Sequence, residues 1–122
     1  MNADELKGRS KAFALRVLNL FRALPRTEEA RVLGRQLLRS AMSVAANYRA
    51  VCRARSRAEF VAKMGLVVEE MDETTFWLEI LADGDIVPVK RLQDLRAEAD
   101  QLLKIFASSH KTLRSRRLRT IP

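Results

Sequence analysis

A chain of 122 residues accommodates one domain and little else. Hydrophobic residues make up 48% and charged residues 31%, which excludes wholesale disorder, and four Gly with three Pro are too few for an all-β domain built on tight turns. Twenty-three Lys and Arg against 15 acids leave a net charge of +8, an excess that makes a polyanion the first partner to consider.

The helical period runs through the chain. The first predicted helix spans about Asp4 to Leu24, with Phe13, Val17, Leu20 and Leu24 at 4-3-4 spacing. Pro25 stops it, because proline disfavours helical geometry in the residue before it and has no N–H to donate. Thr27 is the expected cap of a second helix, with Glu28 and Glu29 in its first turn and an end near Arg53. Ser56-Arg57-Ala58-Glu59 reads as a capping box that opens a third helix, which stops at the turn Asp83-Gly84-Asp85. Pro88 suits the first turn of a fourth, carried by Leu92, Leu95, Ala99, Leu102 and Phe106. Beyond Lys111 the sequence KTLRSRRLRTIP turns basic and aperiodic, so residues 111–122 are expected to be a disordered tail on a bundle of residues 1–110.

These elements predict an all-α, antiparallel up-down-up-down four-helix bundle with short loops. In the third helix, Phe60, Met64, Val67, Met71, Thr74, Leu78 and Leu81 form a heptad seam. Leu66, Phe76, Trp77 and Ile80 lie outside it. One bundle core has little use for apolar residues on every side of a helix, so these four predict an oligomer interface. The alternative is that Trp77 only covers the end of the bundle.

The charge is segregated. Residues 31–57 hold seven Arg and no acid, residues 59–85 hold eight acids against Lys63, and residues 104–122 hold six basic residues and no acid. On a helical projection from Arg31 at about 100° per residue, Arg31, Arg35, Arg39, Arg49 and Arg53 fall between about 0° and 80°. Leu33, Leu37, Val44, Tyr48 and Val51 fall near 200–260° on the same projection. Five guanidinium groups therefore share one stripe over roughly 33 Å. Arg55 would project onto the core side, which predicts a loop at Arg53-Ala54-Arg55. Such a row of Arg can neutralise successive phosphates, giving salt-dependent, largely sequence-independent binding of RNA or DNA. The predicted contacts are Arg31, Arg35, Arg39, Arg49, Arg53, Arg55 and Arg57, with Arg114, Arg116, Arg117 and Arg119 as auxiliaries from the tail. A competing reading has the acidic third helix neutralise the second, with Arg31, Arg35 and Arg39 beside Met71 to Glu79. Under that reading the protein is an oligomeric interaction scaffold.

No arrangement for catalysis, cofactor or metal is legible. His110 is alone and reads as a surface residue, and Cys52 projects to the edge of the core as a small buried apolar residue. One Cys allows no intrachain disulfide and no cysteine-cluster zinc site, and no Gly-rich phosphate loop occurs. The start, MNADELKGRS, does not read as a signal peptide, and no apolar run approaches the roughly 20 residues of a spanning helix. The expectation is a cytoplasmic, non-enzymatic protein without a membrane or small-molecule partner.

The stretch QLLRSAMSVAANYRAVCRARSRAEF, Gln36 to Phe60, followed by EEMDETTFWLEIL, Glu69 to Leu81, resembles a known family. It is similar to the four-helix-bundle proteins encoded within intervening sequences of bacterial 23S ribosomal RNA genes, also called S23 ribosomal proteins. The similarity runs from near Phe13, across Leu24-Pro25, to about Phe106. Its most diagnostic residues are Arg39-Ser40-Ala41, Ser43, Ala46-Asn47, Arg57, Glu59-Phe60 and Glu69-Glu70. Many members carry Ala-Glu-Gly after the Asn, where this chain has Tyr48-Arg49-Ala50. The resemblance implies an up-down bundle, often a homopentamer, with no known catalytic activity. That family is in turn similar to the accessory bundle proteins of diversity-generating retroelements, positively charged pentamers that bind nucleic acid.

Overall fold

The computed structural model describes the backbone of residues 1–119 and side chains as far as Ser115. It holds four helices: α1 (Ala3–Ala23), α2 (Glu28–Val51), α3 (Arg57–Asp83) and α4 (Val89–Arg119). Each start has a local cause. Asn2 Oδ1 accepts from the Glu5 N–H at 2.8 Å, and Thr27 Oγ1 accepts from the Ala30 N–H at 3.3 Å, so both helices open on a side-chain cap. Ser56 Oγ likewise accepts from the Glu59 N–H at 3.1 Å. The reciprocal half of the box is displaced by one residue: Glu59 Oε2 takes the Arg55 N–H at 3.2 Å.

The ends are equally local. Leu24 is extended ahead of Pro25, as the ring demands. α3 closes with the Ile86 N–H donating to the Leu81 carbonyl at 3.0 Å, around Asp85 at φ 57°. Asp85, and not Gly84, takes the left-handed position, a conformation Asp tolerates better than most side chains.

The seam predicted for α3 is the core seam: Met64, Val67, Met71, Thr74, Leu78 and Leu81 are buried, with Phe60 half-buried at its end. Leu37, Val44, Tyr48 and Val51 meet it from α2, Phe13 and Val17 from α1, and Leu92, Leu95, Ala99, Leu102 and Phe106 from α4. The Tyr48 and Phe106 rings lie 5.4 Å apart at 44°.

Two buried hydroxyls join α2 to α3. Ser40 donates to the Leu37 carbonyl at 3.1 Å, while the Thr74 hydroxyl lies 2.9 Å from Ser40 Oγ and 2.8 Å from the Glu70 carbonyl. Residue numbers rise along one helix as they fall along its neighbour. Thr74 meets Ser40 while Met64 and Phe60 share a cavity with Tyr48, and Gly65 meets His110 while Leu78 shares one with Ala99.

Two sequence expectations differ at the helix ends. α2 stops at Val51, earlier than Arg53, and the Arg53 and Ala54 N–H groups bond to the Ala50 and Val51 carbonyls in a tight turn. α4 continues through Arg119, so backbone expected to leave the helix at Lys111 stays in it. Leu113 explains the continuation. It lies one heptad beyond Phe106, is half-buried, and lines a cavity with Tyr48, Phe60 and Met64.

Candidate nucleic-acid interface

The rotation of α2 within the bundle decides what its arginines face. Ser40, near 180° on the projection from Arg31, touches α3, and Gly34, near 300°, touches α1. A Cβ on Gly34 would lie 2.5 Å from Leu24 Cδ1 and 3.0 Å from the Phe21 ring, so this contact is close. The stripe at about 0–80° consequently points away from both neighbours. Arg31, Arg35, Arg39, Arg49 and Arg53 are all exposed.

Arg39 stands nearest α3 and is drawn into ion pairs there. Its Nη1 donates to Glu70 Oε2 at 3.4 Å and its Nη2 donates to Glu73 Oε2, while its side chain keeps 49% of its surface open. The hydrogen bond from Arg39 holds Glu73 below the usual carboxylate range. Burial, followed by the neighbouring Glu73, pushes Glu70 up. Other ion pairs among the described residues join Arg9 to Glu98 and Lys63 to Glu59. Arg31, Arg35, Arg49, Arg53, Arg55 and Arg57 form none among those residues, nor do Glu28 and Glu29, the acids closest to Arg31 in sequence. The acidic helix thus neutralises one guanidinium of the stripe and leaves its ends uncompensated.

Each end of the stripe borders a cleft. Where α1 turns into α2, Arg31 and Arg35 are joined by Arg22 and Arg26 around a cavity of about 450 Å³ that also touches Phe21 and Leu24. At the opposite end, Arg49, Arg53 and Arg55 line a cavity of about 540 Å³ with Lys63 and Glu59. Arg57 sits on the far side of that turn, in a groove shared with Arg55, Phe60 and Leu113. Sequence reasoning missed Arg22, Arg26 and Lys63. The available signal for the first two was the short Leu24–Thr27 connection, which forces the last turn of α1 and the first turn of α2 to the same end. Arg114 is exposed on α4, whereas Arg116, Arg117 and Arg119 lie outside the residues whose side chains are described.

The apolar positions of α3 divide. Phe76 is 48% and Leu66 39% exposed, while Trp77 and Ile80 are half-buried. The Phe76 ring meets Trp77 edge-on at 5.1 Å, and the Trp77 indole N–H is buried without a hydrogen-bond partner among the described residues.

Two further placements correct the sequence reading. Cys52 is exposed although its N–H still reaches the Tyr48 carbonyl at 3.1 Å, because it stands on the open end of the last turn of α2, at the edge and not the centre of the apolar face. His110 is half-buried, and its ring crosses the bare backbone of Gly65, with Nε2 3.2 Å from where a Cβ would stand. Burial, with a lesser contribution from the Cys52 thiol, pushes the Tyr48 phenol up to about 12. Among the described residues, no three His, Cys, Asp or Glu side chains converge as a metal site, and no helix is long and apolar enough to cross a membrane.

Helix order, core seam and partitioned charge define a small all-α bundle with an arginine-lined outer face. The model of the 23S rRNA-intervening sequence protein family matches residues 5–108, and the chain belongs to that family. It is similar to a crystal structure of a protein of unknown function from the S23 ribosomal protein family of Bacteroides thetaiotaomicron. The two share 31% identity over 91% of this chain and 99% of the other, with a TM-score of 0.83. No curated protein matches.

Proposed function

We propose that this protein is a non-catalytic, self-associating cytoplasmic bundle that binds RNA or DNA, largely through phosphate contacts along α2 and its two flanking clefts. The observation that carries this reading is the set of exposed arginines, Arg31, Arg35, Arg49 and Arg53, which share one line on the α2 side and have no carboxylate partner among the described residues. Guanidinium groups so placed can each grip a phosphate with two hydrogen bonds and release its counterions. Self-association is supported by α3, where Phe76 and Leu66 are open to water. The family named above makes a homopentamer the expected stoichiometry.

The test is a titration of labelled structured RNA from about 50 to 200 mM salt, over which several phosphate contacts weaken binding by orders of magnitude. A folded sample that binds nothing at the low-salt end refutes the reading. The scaffold alternative is favoured by the Arg39 ion pairs with Glu70 and Glu73, which already spend charge between helices. It predicts that charge reversal at Arg35 dissociates the oligomer in a solution-mass measurement. The nucleic-acid reading predicts that the oligomer survives and RNA binding falls.

A further inference from the structure

The cleft at the α1–α2 turn joins four arginines to an apolar floor, whereas the groove of Arg55 and Arg57 beside Phe60 and Leu113 carries two. Elsewhere along α2 the arginines stand over polar or small neighbours. Here Arg22, Arg26, Arg31 and Arg35 surround a floor that includes the half-buried side chains of Phe21 and Leu24, and no carboxylate lines it. Its volume, about 450 Å³, lies within the roughly 300–1,000 Å³ of sites that hold small organic ligands.

We infer that this cleft holds an unpaired nucleotide of a single strand, its base face laid on Phe21 and Leu24 and its flanking phosphates on the four arginines. The inference rests on the nucleic-acid reading above and adds what the cleft recognises. A phosphate surface alone has no use for an apolar floor. A duplex keeps its base faces stacked inside and offers such a floor nothing to cover, whereas a single strand exposes a flat apolar face beside each pair of charges. An acidic peptide would satisfy the arginines but brings no flat face to the floor.

The floor is also held in position from below. Phe21 and Leu24 are the two side chains that approach Gly34 in α2, where a Cβ would stand 2.5 Å from Leu24 Cδ1 and 3.0 Å from the Phe21 ring. A side chain at that position would oblige Leu24 and Phe21 to shift. Gly34 therefore lets the two floor residues sit directly against α2.

The probes are a short single-stranded DNA, its abasic counterpart of equal length and charge, and a polyglutamate peptide, each followed by fluorescence anisotropy against the full chain at low salt. The base-bearing strand is expected to bind at least about fivefold more tightly than the abasic one, the lower end of what stacking one base contributes. Leu24→Ala should narrow that ratio, and Arg22→Gln with Arg26→Gln should weaken both strands. The two arginines are exposed, so this pair tests the rim with the fold intact, as a thermal melt verifies. Equal binding of the two DNAs, or an Arg22→Gln/Arg26→Gln protein that binds as tightly as the unmodified chain, overturns the cleft while leaving the phosphate-contact reading in place. Polyglutamate that displaces the base-bearing strand as effectively as the unlabelled strand does also overturns it. Failure of every strand to bind at low salt removes both readings together.

Discussion

Removing Arg49 and Arg53 together should change how steeply nucleic-acid binding depends on salt, while removing the Arg39–Glu73 pair should not. The contrast follows from what each guanidinium touches. Arg49 and Arg53 are exposed beside a cleft and carry no ion pair among the described residues, whereas Arg39 is held by Glu73 and Glu70. For a single strand, each neutralised phosphate contributes about −0.7 to the slope of log K against log salt, so six contacts give about −4 per protomer. A fourfold rise in salt then costs roughly 300-fold in affinity. Arg49→Gln with Arg53→Gln leaves four contacts and a slope near −2.8, or roughly 50-fold over the same range. Arg39→Gln with Glu73→Gln preserves net charge and removes a pair already internally neutralised, so its slope should match the unmodified protein. Anisotropy titrations at four or more salt concentrations measure all three slopes. The reasoning fails if the Arg49/Arg53 variant keeps the original slope, or if both variants lose the same amount.

Three other outcomes follow from the packing and the titrating groups. Gly65→Ala should add little stability alone, because its Cβ would stand 3.2 Å from His110 Nε2. The gain of about 1 kcal/mol in helix propensity should emerge in a His110→Ala background, read from urea midpoints, and equal gains in both backgrounds refute the contact. Tyr48, the one tyrosine in the chain, should ionise in the folded protein near 12 and in denaturant near its usual value of about 10. Because folding disfavours the phenolate, stability should fall as pH climbs past about 10, and a folded-state ultraviolet titration centred near 10 contradicts the burial argument. Arg9 grips Glu98 through two bonds of 2.7 Å and holds its carboxyl below the ordinary range. That stabilisation is present above the ordinary Glu value of about 4.3 and is lost as pH falls through the lowered folded value. Arg9→Gln should accordingly flatten the acid limb of melting temperature against pH, and parallel curves for the two proteins disprove it.

The fold was legible because its signals are local. Thr27 and Ser56 cap their own helices, Pro25 stops α1 whatever surrounds it, and the α3 seam repeats over about three heptads. The site was legible only in part. Projection placed five arginines on one line, yet it carried no information about how α2 turns about its axis in the bundle. That rotation, fixed where Ser40 meets α3 and Gly34 meets α1, separates Arg39 from Arg31 and Arg35. The clefts need α1 and α3 beside α2, so Arg22, Arg26 and Lys63 could not be read from the α2 pattern. Cys52 was misplaced because periodicity gives a direction around the helix axis and not whether a neighbour covers the last turn. α4 outlasts its expected end because a lone Leu113 among basic residues still finds Tyr48, Phe60 and Met64 to pack against.

The Ser40–Thr74 hydroxyl pair reaches further than its own small energy. Each hydroxyl also bonds a carbonyl of its own helix, so sliding α2 along α3 by one turn would cost only the contact between them, about 0.5–1.5 kcal/mol, a modest preference for one alignment of the two rods. Arg39 and Glu73 each sit one residue before a member of that pair, and the same alignment brings them together. The cation silenced on the outside thus stands in register with a polar contact between two alcohols in the dry interior.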